Sequence, residues 1–271
     1  MAAVPVQDPS SATTLVVLSC DRYSDLWPIY FHLFFKYWPS CPFPVCLASN
    51  QKRYADPRVT TLLSGDDQDW SSSVRRSLGQ IRSKYIFAML DDALLIAPVN
   101  TAAISNVVGW AIENSARYVR FRSFPSPDKR HDEKVGVISA GVLYRTAIIP
   151  SLWERETFLN LLSDGESAWE FEMNGTVRSY RYGGFFGTWE NYFHYIHGVE
   201  KGLWLRSAVN ELRRRGLQVD LRRRREMTRT EAAIWRLNRF KGAVLNLLPP
   251  NWRPLALRAV QAVYRFVGLR R

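Results

Sequence analysis

Cysteine is scarce in this chain. The three present, Cys20, Cys41 and Cys46, are too few for a disulfide framework and lack the paired spacing of a zinc site. Free thiols in a reducing, cytoplasmic compartment are therefore expected. Long apolar runs are absent as well: the longest are strand-sized, short of the ~20 residues that span a bilayer, so no membrane crossing is expected. No glycine-rich phosphate loop with a lysine occurs, which leaves another nucleotide-dependent transferase, such as a nucleotidyltransferase, without its usual signature. Residues 1–14 have no basic stretch followed by an apolar one, and read as a loose tail rather than a signal peptide. There is no internal repeat.

What is present suffices for one sizeable core, or one core with an appended piece: 46% of the 271 residues are hydrophobic and 13% aromatic. The net charge of +12 is unevenly spread. Residues 205–271 hold 17 Lys and Arg against 4 Asp and Glu, whereas the first 204 residues hold 20 against 21. The basic excess thus belongs to the last quarter of the chain and points to an anionic partner for that part alone. Seven arginines, 213–215 and 222–225, fall within 13 residues. Further on, Ala259, Val260, Ala262, Val263, Phe266 and Val267 would share one side of a helix, with Arg258, Gln261 and Arg265 opposite. Such a basic amphipathic helix suits the anionic inner face of a plasma membrane. Its arginine runs would also suit nucleic acid, and a non-enzymatic nucleic-acid- or membrane-binding module is the alternative reading of the chain. Nucleic acid is the less favoured partner, and a solvated helical cap is the plainest reading of the region.

Hydrophobic patterning predicts strands at 15–19, 45–48, 58–63 and 85–90, with helices over 25–38 and from Asp69 or Ser71 through Ile81. Beyond them it predicts a helix over 101–114, strands at 117–121 and 135–144, a helix over 149–162, a loop over 163–175, an extended 177–182 and a flexible loop at Gly183, Gly184 and Gly187. The order β-α-β-β-α-β favours an α/β sheet with functional groups at the strand ends. Asp91 and Asp92 end the apolar run 85–90. Carboxylates at that point can hold a divalent cation, which can in turn hold a diphosphate. They can equally cap the next element or pair with arginine.

Several segments carry a resemblance: 19–27, 36–42, Asp69-Trp70-Ser71, Leu90-Asp91-Asp92, 151–159, Ala168-Trp169-Glu170-Phe171-Glu172 and 198–204. In order and spacing this set resembles bacterial glycosyltransferases of the GT-A fold, specifically those that assemble surface polysaccharides. The resemblance implies a GT-A-like, Rossmann-type mixed sheet flanked by helices over residues 15–204, after the tail 1–14 and before a basic helical appendage at 205–271. It implies transfer of a sugar from a nucleotide-diphosphate donor to a hydroxyl of a lipid-linked or growing glycan, on the cytoplasmic side of the membrane. Asp91 and Asp92 stand where the family's metal-binding Asp-X-Asp lies, so Mg2+ or Mn2+ is implied. The acids are adjacent here, so one of them is free to contact ribose or a bridging water instead.

The chemistry itself needs three further groups. A nucleoside diphosphate leaving group develops charge that basic residues must meet, and Arg75 or Arg76 is suitably placed, with Arg75 preferred. Ser19 and Asp21, at the end of the first strand, lie where a nucleoside rests above such a sheet, with Tyr23 or Trp70 available to stack on its base. The acceptor hydroxyl needs a base. Glu172 and then Glu170 match the position of the acid that serves in the related enzymes, and inversion at the anomeric carbon would follow. The resemblance to the GT-A family implies that a histidine near the end of the domain can complete the metal shell, and His197 is the better placed by order. Each of these residues also has a structural reading: a helix cap for the glutamates, a solvated helix face for the arginines, and packing for the aromatics and the histidine.

Overall fold

Strand β1, Thr13–Leu18, is buried along its whole length, and so is its neighbour β2, Val45–Ser49. A strand covered on both faces reads as a continuous apolar run, which is how these segments look in the sequence. The computed structural model describes residues 9–124 and 126–233. Its other strands are β3 (Val59–Leu63), β4 (Tyr85–Leu90), β5 (Ala93–Leu95), β6 (Tyr118–Arg120), β7 (Lys129–Arg130), β8 (Val135–Val137), β9 (Ser151–Glu154), β10 (Phe185–Thr188), β11 (Tyr195–His197), β12 (Val199–Glu200) and β13 (Leu203–Trp204). The helices are α1 (Pro9–Ala12), α2 (Trp27–Tyr37), α3 (Trp70–Leu78), α4 (Thr101–Glu113), α5 (Arg155–Leu161), α6 (Ala168–Glu170), α7 (Thr176–Arg178) and α8 (Arg206–Arg214). Strand β1 begins inside the stretch expected to be a loose tail.

The chain forms two compact units, Met1–Ala140 with Tyr144–Gly198, and Gly141–Leu143 with Val199–Arg271. The first is an α/β body on one nine-stranded sheet in the order β3-β2-β1-β4-β9-β6-β10-β8-β7. Strands β3, β2, β1 and β4 are parallel, and β9 runs antiparallel to both β4 and β6. β4 and β6 therefore point the same way, and β10 is parallel to β6. The expected α/β class, a Rossmann-type mixed sheet with flanking helices, is what the chain forms. Local signals hold where caps define them: the Asp69 carboxylate accepts the Ser72 N–H at 2.8 Å to start α3, and Asn100 accepts from Ala103 at 3.0 Å to start α4.

Five segments differ from expectation. The predicted helix over 149–162 is strand β9 followed by α5, because Leu152 and Trp153 are buried on opposite faces of a central strand and only Arg155 onward turns helical. The loop 163–175 is largely helical, and 177–182 is a helical turn rather than extended. The strand predicted at 135–144 ends at Val137. Of the three glycines expected to make a flexible loop, Gly187 lies within β10, where an added Cβ would press on Ile138 and Pro127 at 3.3 Å; Gly184 alone has φ +75°, the left-handed turn that leads into the strand.

In the second unit β12 pairs with β13, and α8 buries Ala208, Val209 and Leu212. Four of its acids are engaged locally: Glu211 by Arg214 and Arg215, Glu226 by Arg206, Glu231 by Arg225, and Asp220 by the Arg222 N–H. The predicted amphipathic helix around 258–267 lies outside the described residues. No helix among the described residues is long and apolar enough to cross a membrane.

Candidate active site

Parallel pairing brings the polar residues together. Leu18 is in register with Leu90 and with Ala48, so the next residues along, Ser19, Ser49 and Asp91, emerge side by side at the carboxyl edge of the sheet. There the Ser19 hydroxyl donates to Asp91 Oδ2, and the indole Nε1–H of Trp27 donates to Ser19 Oγ at 2.7 Å. Asp91 is only 5% exposed, and Asp92 is half-buried. Tyr30 is fully buried on α2, and its phenol pKa is pushed well up, first by burial and then by the negative charge of Asp91 and Asp92. It stays neutral beside the pair.

The chain returns to this edge after β10. Beyond Thr188 it crosses the sheet, with the Tyr192 N–H on the Phe121 carbonyl at 3.4 Å and the Phe193 ring 5.7 Å from that of Phe87, and then pairs as β11 with β5. His197 is thereby set opposite Ala93, and the Gly198 N–H donates to the Asp92 carbonyl at 2.7 Å. A histidine more than a hundred residues downstream is thus the neighbour of the aspartate pair.

Glu172 reaches the same edge from another direction. Because β9 is antiparallel to β4 and β6, its amino end lies beside their carboxyl ends, and the Glu172 carboxylate accepts the Ile148 N–H at 2.9 Å in the turn before β9. The residue keeps some exposure, but its carboxyl is enclosed. Burial pushes the pKa up, against the opposing pull of the Ile148 N–H and then of Arg122 and Arg120. Arg120 is itself fully buried and donates to the Tyr144 carbonyl at 3.2 Å. Sequence reasoning missed Trp27, Tyr30, Arg120 and Arg122. The first two follow Ser19 on a helix whose aromatics all look like core, and the arginines sit at the end of a strand with no acid nearby in sequence.

The remaining candidates have other partners. Both carboxylate oxygens of Asp21 accept backbone N–H groups of Gln51 and Lys52 at 3.1 to 3.2 Å, and Asn50 N–H donates to Oδ1 at 3.1 Å. Asp21 thus fastens the loop after β1 to the loop after β2. Arg75 is spent on the far end of α5, donating to Asp164 Oδ1 at 3.2 Å and to the carbonyls of Leu159 and Leu162 at 3.2 and 2.9 Å. Glu170 closes a capping box on α6: its Oε2 accepts the Ser167 N–H at 2.8 Å, which holds the carboxyl below its usual range. The half-buried Trp70 ring tilts against Phe171 at 5.4 Å, joining the aromatic cluster of Phe158 and Trp153. Tyr23 is half-buried in the short turn Asp21–Tyr23. The fold therefore gathers Ser19, Asp91, Asp92, Glu172 and His197 at one edge, and gives Arg75 and Glu170 structural partners elsewhere.

The carboxylates fit a cation that arrives with its substrate. Among the described residues no three His, Cys, Asp or Glu side chains gather closely enough to hold a metal ion by themselves. Mg2+ and Mn2+ need no such cage, since one or two carboxylates together with substrate phosphates and water complete their shell.

No family model matches the chain, and no curated protein does. Solved structures give distant likenesses. A mannosyltransferase from Pyrobaculum calidifontis, solved with GDP-mannose and Mn2+, is 11% identical with a TM-score of 0.47 over 92% of this chain and 69% of its own. Residues 1–349 of S. aureus TarS give 9% and 0.46 over 67% of this chain and 59% of that one. The bifunctional IspDF of Campylobacter jejuni gives 16% and 0.37, this chain spanning 48% of its length.

Proposed function

We propose that this chain is a glycosyltransferase that uses a nucleotide-diphosphate sugar, with its donor site at the carboxyl edge of the sheet around Asp91 and Asp92. The observation that carries the reading is the convergence at that edge of the aspartate pair, His197 and the enclosed Glu172, from three parts of the chain. Crevices at the carboxyl ends of strands are where open α/β sheets bind nucleotides. Asp91 and Asp92 would hold Mg2+ or Mn2+, which when bound supplies positive charge to the diphosphate leaving group. The loop that Asp21 fastens forms the floor for the nucleoside.

Glu172 is the proposed base. It takes the proton of an acceptor hydroxyl as the oxygen bonds to the anomeric carbon, while the bond from that carbon to the diphosphate oxygen breaks and its electrons leave with the nucleoside diphosphate. Attack opposite the leaving group inverts the anomeric centre. A carboxyl with a raised pKa is a stronger base once ionised, which suits the task. A screen of nucleotide sugars by thermal unfolding tests the donor assignment. One donor at about a hundred times its Kd, with Mn2+, is expected to add ~2.7 kcal/mol of stability, reversed by chelation; a screen with no response in Mg2+ or Mn2+ rejects it.

The basic second unit is proposed to hold the enzyme at an anionic membrane surface, where a lipid-linked glycan acceptor would lie. The surplus of 17 Lys and Arg over 4 acids supports this, each basic side chain near such a surface being worth about 1 kcal/mol. Full-length protein is expected to float with phosphatidylserine vesicles and a chain ending at Trp204 to remain behind; equal flotation of both removes the membrane role from residues 205–271.

A further inference from the structure

Resting on the glycosyltransferase reading, we infer that Trp27 and Ser19 are positioning residues for Asp91, and that the Ser19 hydroxyl serves the cation and diphosphate through Asp91 rather than touching the nucleoside. The direction of the hydrogen bonds points to it. An indole N–H can only donate, so at 2.7 Å it fills an acceptor position of Ser19 Oγ. The single proton of Ser19 must then point elsewhere. Asp91 Oδ2 is in close contact, whereas the Cys20 carbonyl lies at 3.4 Å. The chain Trp27 N–H to Ser19 O–H to Asp91 is therefore polar in one sense, and it ends on a carboxylate.

The setting makes that orientation firm. Trp27 is 3% exposed in the first turn of α2, its ring set edge-on to Tyr54 at 6.4 Å, so the donor cannot swing to water. Tyr30, one turn later, donates its hydroxyl to Met89 Sδ at 3.7 Å and so bears on the residue two before Asp91 from the same helix. With one oxygen of Asp91 held by Ser19, the rotation of the carboxylate is restrained. Partners that orient a metal-binding carboxylate in this way typically govern metal affinity by about 10- to 100-fold.

The test uses full-length wild type and the variants Ser19→Ala, Ser19→Thr and Trp27→Phe, each checked for a wild-type circular dichroism spectrum. Two affinities are measured by calorimetry with UDP, GDP, CDP, dTDP and ADP: that for the nucleotide in EDTA, and that for Mn2+ at saturating nucleotide. Ser19→Ala is expected to weaken Mn2+ binding about 10- to 100-fold while the affinity in EDTA stays within about twofold; Trp27→Phe repeats the pattern more mildly. Ser19→Thr, which keeps the hydroxyl, is expected to recover most of the loss. Equal weakening with and without Mn2+ would mean that Ser19 contacts the nucleotide itself, and an unchanged Mn2+ affinity would mean that the relay orients nothing; either overturns the inference. Wild type binding none of the five nucleotides is a separate result, which removes the glycosyltransferase reading together with this one.

Discussion

Asp92→Ala is expected to lower sugar transfer by on the order of a thousandfold, through loss of several kcal/mol of stabilisation of the departing diphosphate at ~1.4 kcal/mol per factor of ten. Asp92 follows β4 in the turn whose carbonyl accepts the Gly198 N–H, so its backbone is held by a bond that the substitution leaves in place. The fold should survive, and the loss should appear as a fall in kcat with little change in melting temperature. Asp91→Asn should cost comparable activity but more stability. Its carboxylate is buried and accepts from Ser19, whereas the amide can present a donor to that hydroxyl. Release of nucleoside diphosphate, followed at equal protein concentrations, measures both. Activity within a few-fold of wild type in Asp92→Ala would remove the aspartate pair from the chemistry.

Glu172→Gln is expected to cost about 10²- to 10⁴-fold in kcat, the range spanned by a lost general base. Its effect on stability should run the other way. The folded-state pKa of Glu172 is raised above that of the unfolded chain, chiefly by burial, so its contribution is greatest at low pH and is lost as pH rises through the folded value. Above that value the protein therefore bears the cost of enclosing a carboxylate, which the neutral amide removes while its oxygen still accepts the Ile148 N–H. The variant should melt at or above the wild-type temperature while transferring almost no sugar. The pH profile gives an independent check: wild-type kcat/KM should rise along an acid limb displaced above the ordinary carboxylate range, and the limb should vanish in Glu172→Gln. A limb that persists would assign the proton transfer to another group.

The parallel half of the sheet was legible in the sequence because β1, β2 and β4 are buried along nearly their whole length and α3 starts at a recognisable cap. β4 and the end of its apolar run were read residue for residue, and the Asp69 cap was one of two candidates. The antiparallel insertion was not legible. β9 is four residues long, Leu152 and Trp153 are buried on its two faces, and the helix that follows begins without a break, so a helical period runs through both. That omission matters for the site, because the position of β9 is what carries the Ile148 turn, and with it Glu172, to the edge. The π-helical stretch Phe171–Gly175 shifts the phase of the segment around it and defeats a period-based reading in the same way.

The site residues divide along similar lines. Ser19 and Asp91 follow paired parallel strands, so register alone joins them. The roles of Arg75 and Glu170 turn on α5 and Ser167, which approach only in three dimensions or through a cap formed locally. Nothing in the composition separates an arginine that meets phosphate from one that closes three bonds on a helix end. Trp27 is the reverse case, an apparent core aromatic whose one polar atom faces the site.

Donor hydrolysis is the most direct measure of the central claim. Full-length protein incubated with each nucleotide sugar, in Mg2+, in Mn2+ and in EDTA, should release nucleoside diphosphate slowly from one donor, only with a divalent cation, and not when Asp92 is replaced by alanine. Release that ignores the cation and persists in Asp92→Ala, or no release and no binding from any donor, would contradict a nucleotide-sugar site at the Asp91 and Asp92 edge.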